Sequence, residues 1–410
     1  MLIEPCRDPS EANPPDAAEA VLKRPAPEHE VVHVGPADHT GRRRRVPAAI
    51  TALIGGGLVV LLPFAARHLD GTADEFSSHS VPILPALGWL ICAALGAVVV
   101  THRLQMLFAV NEGAVIAIAY DSLPVTLLST PIIAVVALTA GHLLLAGAAG
   151  VLSVYYLVLI LPRLLPERHK PAWIATAPRM RLAVANVYVD NETPRDAAAQ
   201  LVSCGADVIV IAESTPKFMQ IFDEVGGADS YPHRLHDPND TSEYAMMIAS
   251  RLPLSERSRM QEVGPLTLAL AEICIEGLTV TVAALNPMAT FDAGGHATWK
   301  EQIDALEGFL PTVKGPLVVA GDLNMTSYRP EFRALLRLGL SDAIDSLGKS
   351  LKPSFSLKSV WPLGALGAIA RLDHALTNDR VRAVELHNLE SKGSDHIPFM
   401  ITLAVRSDDA

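Results

Sequence analysis

The chain is poor in cysteine, in aromatic residues and in positive charge. Its 410 residues hold four cysteines, Cys6, Cys92, Cys204 and Cys274. None stands at metal-ligand spacing, and four scattered thiols make no disulfide framework, so zinc-ribbon and disulfide-scaffold classes are excluded. Cys92 lies in an apolar run and reads as a small buried hydrophobe. A Cys204–Cys274 bridge has no local support. Aromatic residues make up 5%, and 33 Lys and Arg face 44 Asp and Glu, for a formal charge of -11. Roughly -9 of that charge falls after residue 178. Broad nucleic-acid binding is mostly phosphate neutralisation by Lys and Arg, and single-strand tracks add aromatic stacking. Neither supply is evident here. No internal repeat is present.

What is there is apolar. Half the residues are hydrophobic and only 19% are charged. The excess lies between residues 46 and 162. Residues 1–45, rich in Pro, Ala, Glu and Asp, read as a disordered cytoplasmic tail ending in Arg42-Arg43-Arg44-Arg45. The run from about Val46 to Ala66 is long enough to span a bilayer, with the arginines holding its N-terminus inside. A second span is expected from about Val81 to Val100, and a third in the later part of Pro131 to Leu161, from Ala140. Leu104 to Leu123 is apolar on average but carries Asn111, Glu112 and Asp121, which are costly at membrane depth. It is either an interfacial or re-entrant segment or a fourth span. Three spans place the C-terminal domain outside the cell, the side expected here, and four keep it inside.

Residues 163–178 read as a proline-rich linker. From 179 to 406 the texture is that of an α/β domain. Strands are expected at Arg181–Val189, Val208–Ala212, Tyr244–Ser250, Leu266–Ile275, Leu278–Leu285, Pro316–Ala320, Arg371–Thr377, Val381–Leu386 and Ile397–Val405. Helices are expected at Pro194–Cys204, Gly295–Leu310 and Pro330–Leu338, and from Pro216.

Several strand ends carry polar groups. Val318-Val319-Ala320-Gly321-Asp322-Leu323-Asn324 runs a buried strand into an acid and an amide two residues apart, which face the same way if extended. Ser391-Lys392-Gly393-Ser394-Asp395-His396-Ile397-Pro398-Phe399 delivers a carboxylate and an imidazole from a Gly-Ser loop. Val208 to Ala212 ends in Glu213, a carboxylate that is expensive to bury unless paired or metal-bound. Asn186 interrupts an apolar strand, and Arg371-Leu372-Asp373-His374 places another acid on one. Each has an ordinary reading by itself: an Asx turn, a polar loop, a helix start, a core amide. Asn191 reads as a turn residue or as an aid to the site. Val360 to Ala370 is an apolar loop that either packs or meets lipid.

Taken in order, Asn, Glu, Gly-Asp-Leu-Asn, Arg-Leu-Asp-His and Gly-Ser-Asp-His-Ile-Pro-Phe resemble the motif series of the endonuclease/exonuclease/phosphatase family, from about residue 180 to 405. The resemblance implies a four-layer α/β sandwich, two mixed sheets flanked by helices, here preceded by an all-α transmembrane region. It implies a metal-dependent phosphoesterase using Mg²⁺ or Mn²⁺. Glu213 and Asp395 would hold the metal. Asp322 would orient or deprotonate water, Asn324 would hold a phosphate oxygen, and Asp373 would orient the catalytic His396. Asn186 and Asn286 would contact substrate. Many members carry His where Asn286 stands, and Asn cannot exchange a proton. A two-histidine nuclease mechanism is therefore not supported. The substrate, nucleic acid or phospholipid-type, stays open, since loops around this fold set specificity. The competing reading is a non-catalytic membrane module that keeps the fold for binding. No obligate protein partner is evident.

Overall fold

The computed structural model describes residues 83–108, 114–167, 170–290, 293–356 and 367–406. The tail, the Val46–Ala66 run and most of the 360–370 loop lie outside them.

The first part is helical: α1 (Ile83–Phe108), α2 (Ala114–Thr126), α3 (Ser129–Thr139) and α4 (Leu143–Leu164). α1 and α4 run in the same sense. Gly88 faces Leu145 near their starts, and His102 Nδ1 lies 3.2 Å from Tyr155 Oη further on. α3 returns between them, with Thr130 bonded to Ser153. Leu104 to Leu123 is thus no single element. It is divided between the end of α1 and α2.

The second part has strands β1 (Arg179–Asn186), β2 (Val208–Ala212), β3 (His233–His236), β4 (Met246–Ser250), β5 (Arg259–Val263), β6 (Leu266–Ile275) and β7 (Leu278–Leu285). β8 (Leu317–Asp322), β9 (Ser341–Asp342), β10 (Phe355–Ser356), β11 (Ala368–Ala370), β12 (Asp373–Thr377), β13 (Val381–Asn388) and β14 (Phe399–Val405) follow. One six-stranded sheet has the order β13-β14-β1-β2-β4-β3, the other β5-β6-β7-β8-β12-β9, and β10-β11 is a separate hairpin. Both sheets are mixed: β1 pairs parallel with β2 and β7 with β8, while the other pairs are antiparallel.

Strand alternation builds the layers. Leu182 and Val184 of β1 face Val282, Ala284, Val318 and Ala320 of the second sheet in one buried cluster. Ala183 and Ala185 face the other way. They pack under α5 (Pro194–Ser203) and α6 (Pro216–Glu224) through Ala198, Leu201, Phe218 and Phe222. The outer face of the second sheet takes α7 (Ala293–Phe309) and α8 (Pro330–Arg337) through Trp299, Ile303, Phe332 and Leu335. The result is helix, sheet, sheet, helix, as expected. α6 starts as the sequence implies, with Thr215 capping the Phe218 amide and Pro216 in the first turn. Cys204 is a free thiol, so no Cys204–Cys274 bridge exists.

The inner faces run out at one edge. Along β8, Val318 and Ala320 are followed on the same face by Asp322; along β1, Leu182 and Val184 are followed by Asn186. Gly321 lets β8 reach that edge. Its φ is 139°, and a Cβ there would stand 2.1 Å from the Leu285 carbonyl oxygen of β7. Gly277, in the β6–β7 turn, also has positive φ but open space around it. Gly321→Ala is therefore expected to cost about 3 kcal/mol or more, adding steric overlap to backbone strain. Gly277→Ala should cost only about 1 kcal/mol. Denaturant unfolding of both variants checks the difference; equal losses would contradict the close approach at Gly321.

Candidate active site

Five of the expected residues meet at this edge. Asn186 is the tie. It is 2% exposed, and its Nδ2 donates to Glu213 Oε1 at 2.8 Å and to Asp322 Oδ2 at 3.1 Å. Its Oδ1 accepts from the Tyr188 amide. Glu213 follows β2 with φ 59°, a left-handed backbone unusual for a side-chain-bearing residue. Its Oε2 accepts from the Val189 amide at 2.6 Å. Asp322 ends β8 directly opposite Asp373 of β12 in the strand register. His396 Nδ1 lies 2.7 Å from Asp373 Oδ2, and its Nε2 lies 3.5 Å from Asp322 Oδ2.

The charges are unbalanced. Glu213, Asp322 and Asp373 supply three carboxylates against one imidazole. Burial pushes Glu213 up to about 7, and the nearby Asp322 adds to this against the pull of the Asn186 and Val189 hydrogen bonds. Burial likewise raises Asp322 to about 6, with His396 pulling it down and Asp373 pushing it up. For His396, burial disfavours the charged form. The Asp373 and Asp322 carboxylates outweigh it and raise the imidazole to about 10. The His396 ring is thus an imidazolium clamped between two acids.

Ligand atoms of Asp322, Asp373 and His396 lie within 4.8 Å of one another, a spacing open to a metal ion. An imidazolium has no lone pair to give a metal, however. The carboxylates are the better donors. Glu213 and Asp322 share the Asn186 amide and otherwise accept from one backbone N–H each, and Asp373 Oδ1 is buried with no hydrogen-bond partner among the described residues. Hard oxygen donors in excess of positive charge suit Mg²⁺ or Mn²⁺, so the residues present fit the group.

The remaining expected residues sit differently. Asn324 has φ 49°, its amide N–H donates to Asp322 Oδ1, and its Nδ2 donates to the Pro287 carbonyl at 2.9 Å. Asn286 is buried at the end of β7, and its Nδ2 donates to the Glu243 carbonyl. It braces the loop before β4 rather than the carboxylates. Asp395 stands outside the close trio. Its half-buried side chain flanks His396, while its carbonyl accepts from the Ser356 amide and hydroxyl. Asn191 donates to the Val187 and Lys392 carbonyls, so it ties two site loops together.

Three supporting residues are given no role by the motifs. Ser394 Oγ donates to the Asn186 carbonyl and accepts from the His396 amide. Ser354 Oγ accepts from the Leu372 and Asp373 amides. The Phe355 ring lies 5.1 Å from the imidazole of His396. Ser394 was legible as part of the Gly-Ser-Asp-His run. Ser354 and Phe355 carry no local signal, since only the β10–β11 hairpin brings them in.

The Endonuclease/Exonuclease/phosphatase family profile matches residues 183–396. The chain belongs to this family. That makes it a phosphoester hydrolase by class. No curated protein matches the chain. Among solved structures it is similar to an endonuclease/exonuclease/phosphatase from Beutenbergia cavernae, at 16% identity over 56% of this chain and 72% of that one, TM-score 0.44. It is also similar to sphingomyelinase C from Streptomyces griseocarneus, at 17% identity over 55% and 99%, TM-score 0.41. A third is D. rerio TDP2 complexed with a single-strand DNA product, at 16% identity over 55% and 99%, TM-score 0.46. Likenesses this distant carry no substrate.

The pKa of Glu213 has a consequence for stability. It stands at about 7 against an ordinary 4.5. The folded state therefore keeps a proton that the unfolded chain has released. Stability from this group is full below about pH 4.5 and is lost as pH rises through 7. In chelator, Glu213→Gln should therefore gain on the wild type as pH is raised from 5 to 8. Urea unfolding at both pH values measures this; a gap that does not widen would contradict the buried-carboxylate account.

Proposed function

We propose that the protein is a membrane-anchored phosphoesterase that hydrolyses a phosphodiester or phosphomonoester with a divalent cation. The observation that carries this reading is the convergence of Asn186, Glu213, Asp322, Asp373 and His396 at one sheet edge. Glu213 and Asp322, with Asp395 beside His396, are the residues proposed to hold Mg²⁺ or Mn²⁺. When bound, the cation would neutralise phosphate charge and ease ionisation of water.

The chain's own groups do the rest. Asp322 accepts the proton of the attacking water and aligns it. The charged His396, fixed by Asp373, donates from Nε2 to a phosphate oxygen as negative charge builds there. A ring held at about 10 stays charged near neutrality, so it acts first as an electrostatic donor. Asn324 is the proposed amide donor to a phosphate oxygen, which requires its Nδ2 to leave the Pro287 carbonyl, while Asn186 orients Glu213 and Asp322. Asn286, turned to Glu243, is left with a bracing role in this reading.

The helical part supports the membrane half of the proposal. α1 and α4 are each long and apolar enough to cross a bilayer, and only 22% and 28% of their apolar windows are buried. Core helices of a soluble protein would be mostly covered. Here Leu87, Leu90, Ile132, Val135, Val151, Val154 and Val158 face outward. α3 has 11 residues and is about 16 Å long, too short for a core of about 30 Å, so α2 and α3 together make the return pass. That is three passes from residue 83 to residue 164. With the Val46–Ala66 run as a further span the count is four, which puts the catalytic domain on the side of the tail. This differs from the three-span expectation and its extracytoplasmic domain.

The direct test uses the full chain in detergent micelles with Mg²⁺ or Mn²⁺ against bis-p-nitrophenyl phosphate and p-nitrophenyl phosphate. Activity that falls at least about 100-fold in both Asp322→Ala and His396→Ala supports the reading. No metal-dependent hydrolysis, or hydrolysis indifferent to both variants, would favour a module that keeps the fold only for binding.

A further inference from the structure

The catalytic loop leaves β8 at Asp322 and reaches the helical bundle within a few residues. Asp121, in α2, receives it. Asp121 Oδ1 accepts from the Thr326 amide at 2.9 Å and from Thr326 Oγ1 at 2.8 Å, and Oδ2 accepts from Arg329 Nε at 3.0 Å. Arg329 is fully buried. Its guanidinium lies over the Trp299 ring at 4.6 Å and donates to Thr290 Oγ1 at 3.1 Å. Trp299 Nε1 in turn donates to the Leu323 carbonyl at 3.0 Å.

Other bundle residues grip the same turn. Arg163 of α4 donates to Ser327 Oγ and to the Ser327 carbonyl. Its guanidinium stacks over Tyr328, whose ring is buried in the bundle core beside Tyr120 and Leu123. His102 Nε2 meets the Tyr328 carbonyl at 2.8 Å. Residues 326–329 are thus held by three bundle helices, while just upstream Asp322 lies in the site and accepts from the Asn324 amide N–H.

The geometry points to Asp121 as a positioning residue for catalysis, acting through Thr326 and Arg329 to fix Asn324. Two features make it the pivot. Its carboxylate satisfies three donors of the loop at once, two of them on charged or backbone nitrogen, which are the stronger kind. Asn324 also benefits from an external hold. Its backbone is left-handed at φ 49°, a conformation Asn tolerates better than most side-chain-bearing residues but that anchoring of the following turn helps to hold. The α1–α4 bundle is therefore part of the catalytic scaffold. The family match begins only at residue 183, so this is a property of this chain's own architecture.

The test uses the full chain in detergent micelles with Mn²⁺ and bis-p-nitrophenyl phosphate; its activity arm rests on the phosphoesterase reading. Asp121→Ala is expected to lower kcat by about 100-fold, the scale of an ångström-level misplacement, with KM little changed. Asp121→Asn keeps an oxygen for Thr326 and turns an amide nitrogen on Arg329, so its loss should be smaller. Ser153→Ala, inside the bundle, should leave kcat unchanged. If Asp121 acts through Asn324, the double variant Asp121→Ala/Asn324→Ala is no slower than Asn324→Ala alone. Losses that multiply, or a wild-type kcat in Asp121→Ala, would overturn the inference. Hydrogen exchange gives a readout without turnover. The Asn324 amide should exchange faster in Asp121→Ala and not in Ser153→Ala. An unchanged Asn324 amide would likewise overturn the inference. A wild-type chain inactive on this ester would count against the phosphoesterase reading alone, and exchange would still decide the role of Asp121.

Discussion

Everything at the site depends on one imidazolium held among three carboxylates, Asp322 and Asp373 buried and Glu213 half-buried. His396 bridges Asp373 and Asp322, and Asn186 joins Asp322 to Glu213. Burying unpaired charge costs several kcal/mol per ion, and a single imidazolium cannot balance three acids. The cluster is therefore tolerable only where two sheets end together and a cation can enter. The apolar ladders of β1 and β8 give the cluster its rigid base. Gly321, Ser354, Ser394 and Asn191 hold the strand ends and loops in place around it.

The loop after Asp322 extends that dependence into the helices. A membrane anchor joined by a free linker would leave the catalytic domain self-contained. Here Asp121, Arg163 and His102 satisfy loop groups directly. The segment after α4 is also pinned, since the Glu167 amide donates to the Ser346 carbonyl and Ser350 Oγ to the Arg163 carbonyl. A fragment beginning at residue 178 would lose all of these contacts.

Much of this was legible in the residues. The alternation of Leu182, Val184 and Asn186 placed an amide on the inner face, and Gly-Asp-Leu-Asn marked the end of β8. Strand cores were readable because buried apolar runs are dense there. Edges were less so: β3 and β5 carry His, Arg, Gln and Glu and showed no β pattern. β9 to β11 are two or three residues long and exist only through tertiary contact. Asp121 was legible only as an awkward acid in an apolar segment. Its cost is real, and its compensation, Arg329 and Thr326, lies some 200 residues on, beyond any local pattern. Asn286 carried a motif expectation, yet its amide is taken by Glu243, a loop residue no spacing could nominate.

The central claim is that Glu213 and Asp322, with Asp395 nearby, form a site that wants a divalent cation. Titrating Mn²⁺ into the full chain, with and without Glu213→Gln, tests it most directly. Saturable binding that weakens at least about tenfold in the variant is the predicted result. Binding that is absent from the wild type, or equally tight in both, would contradict it.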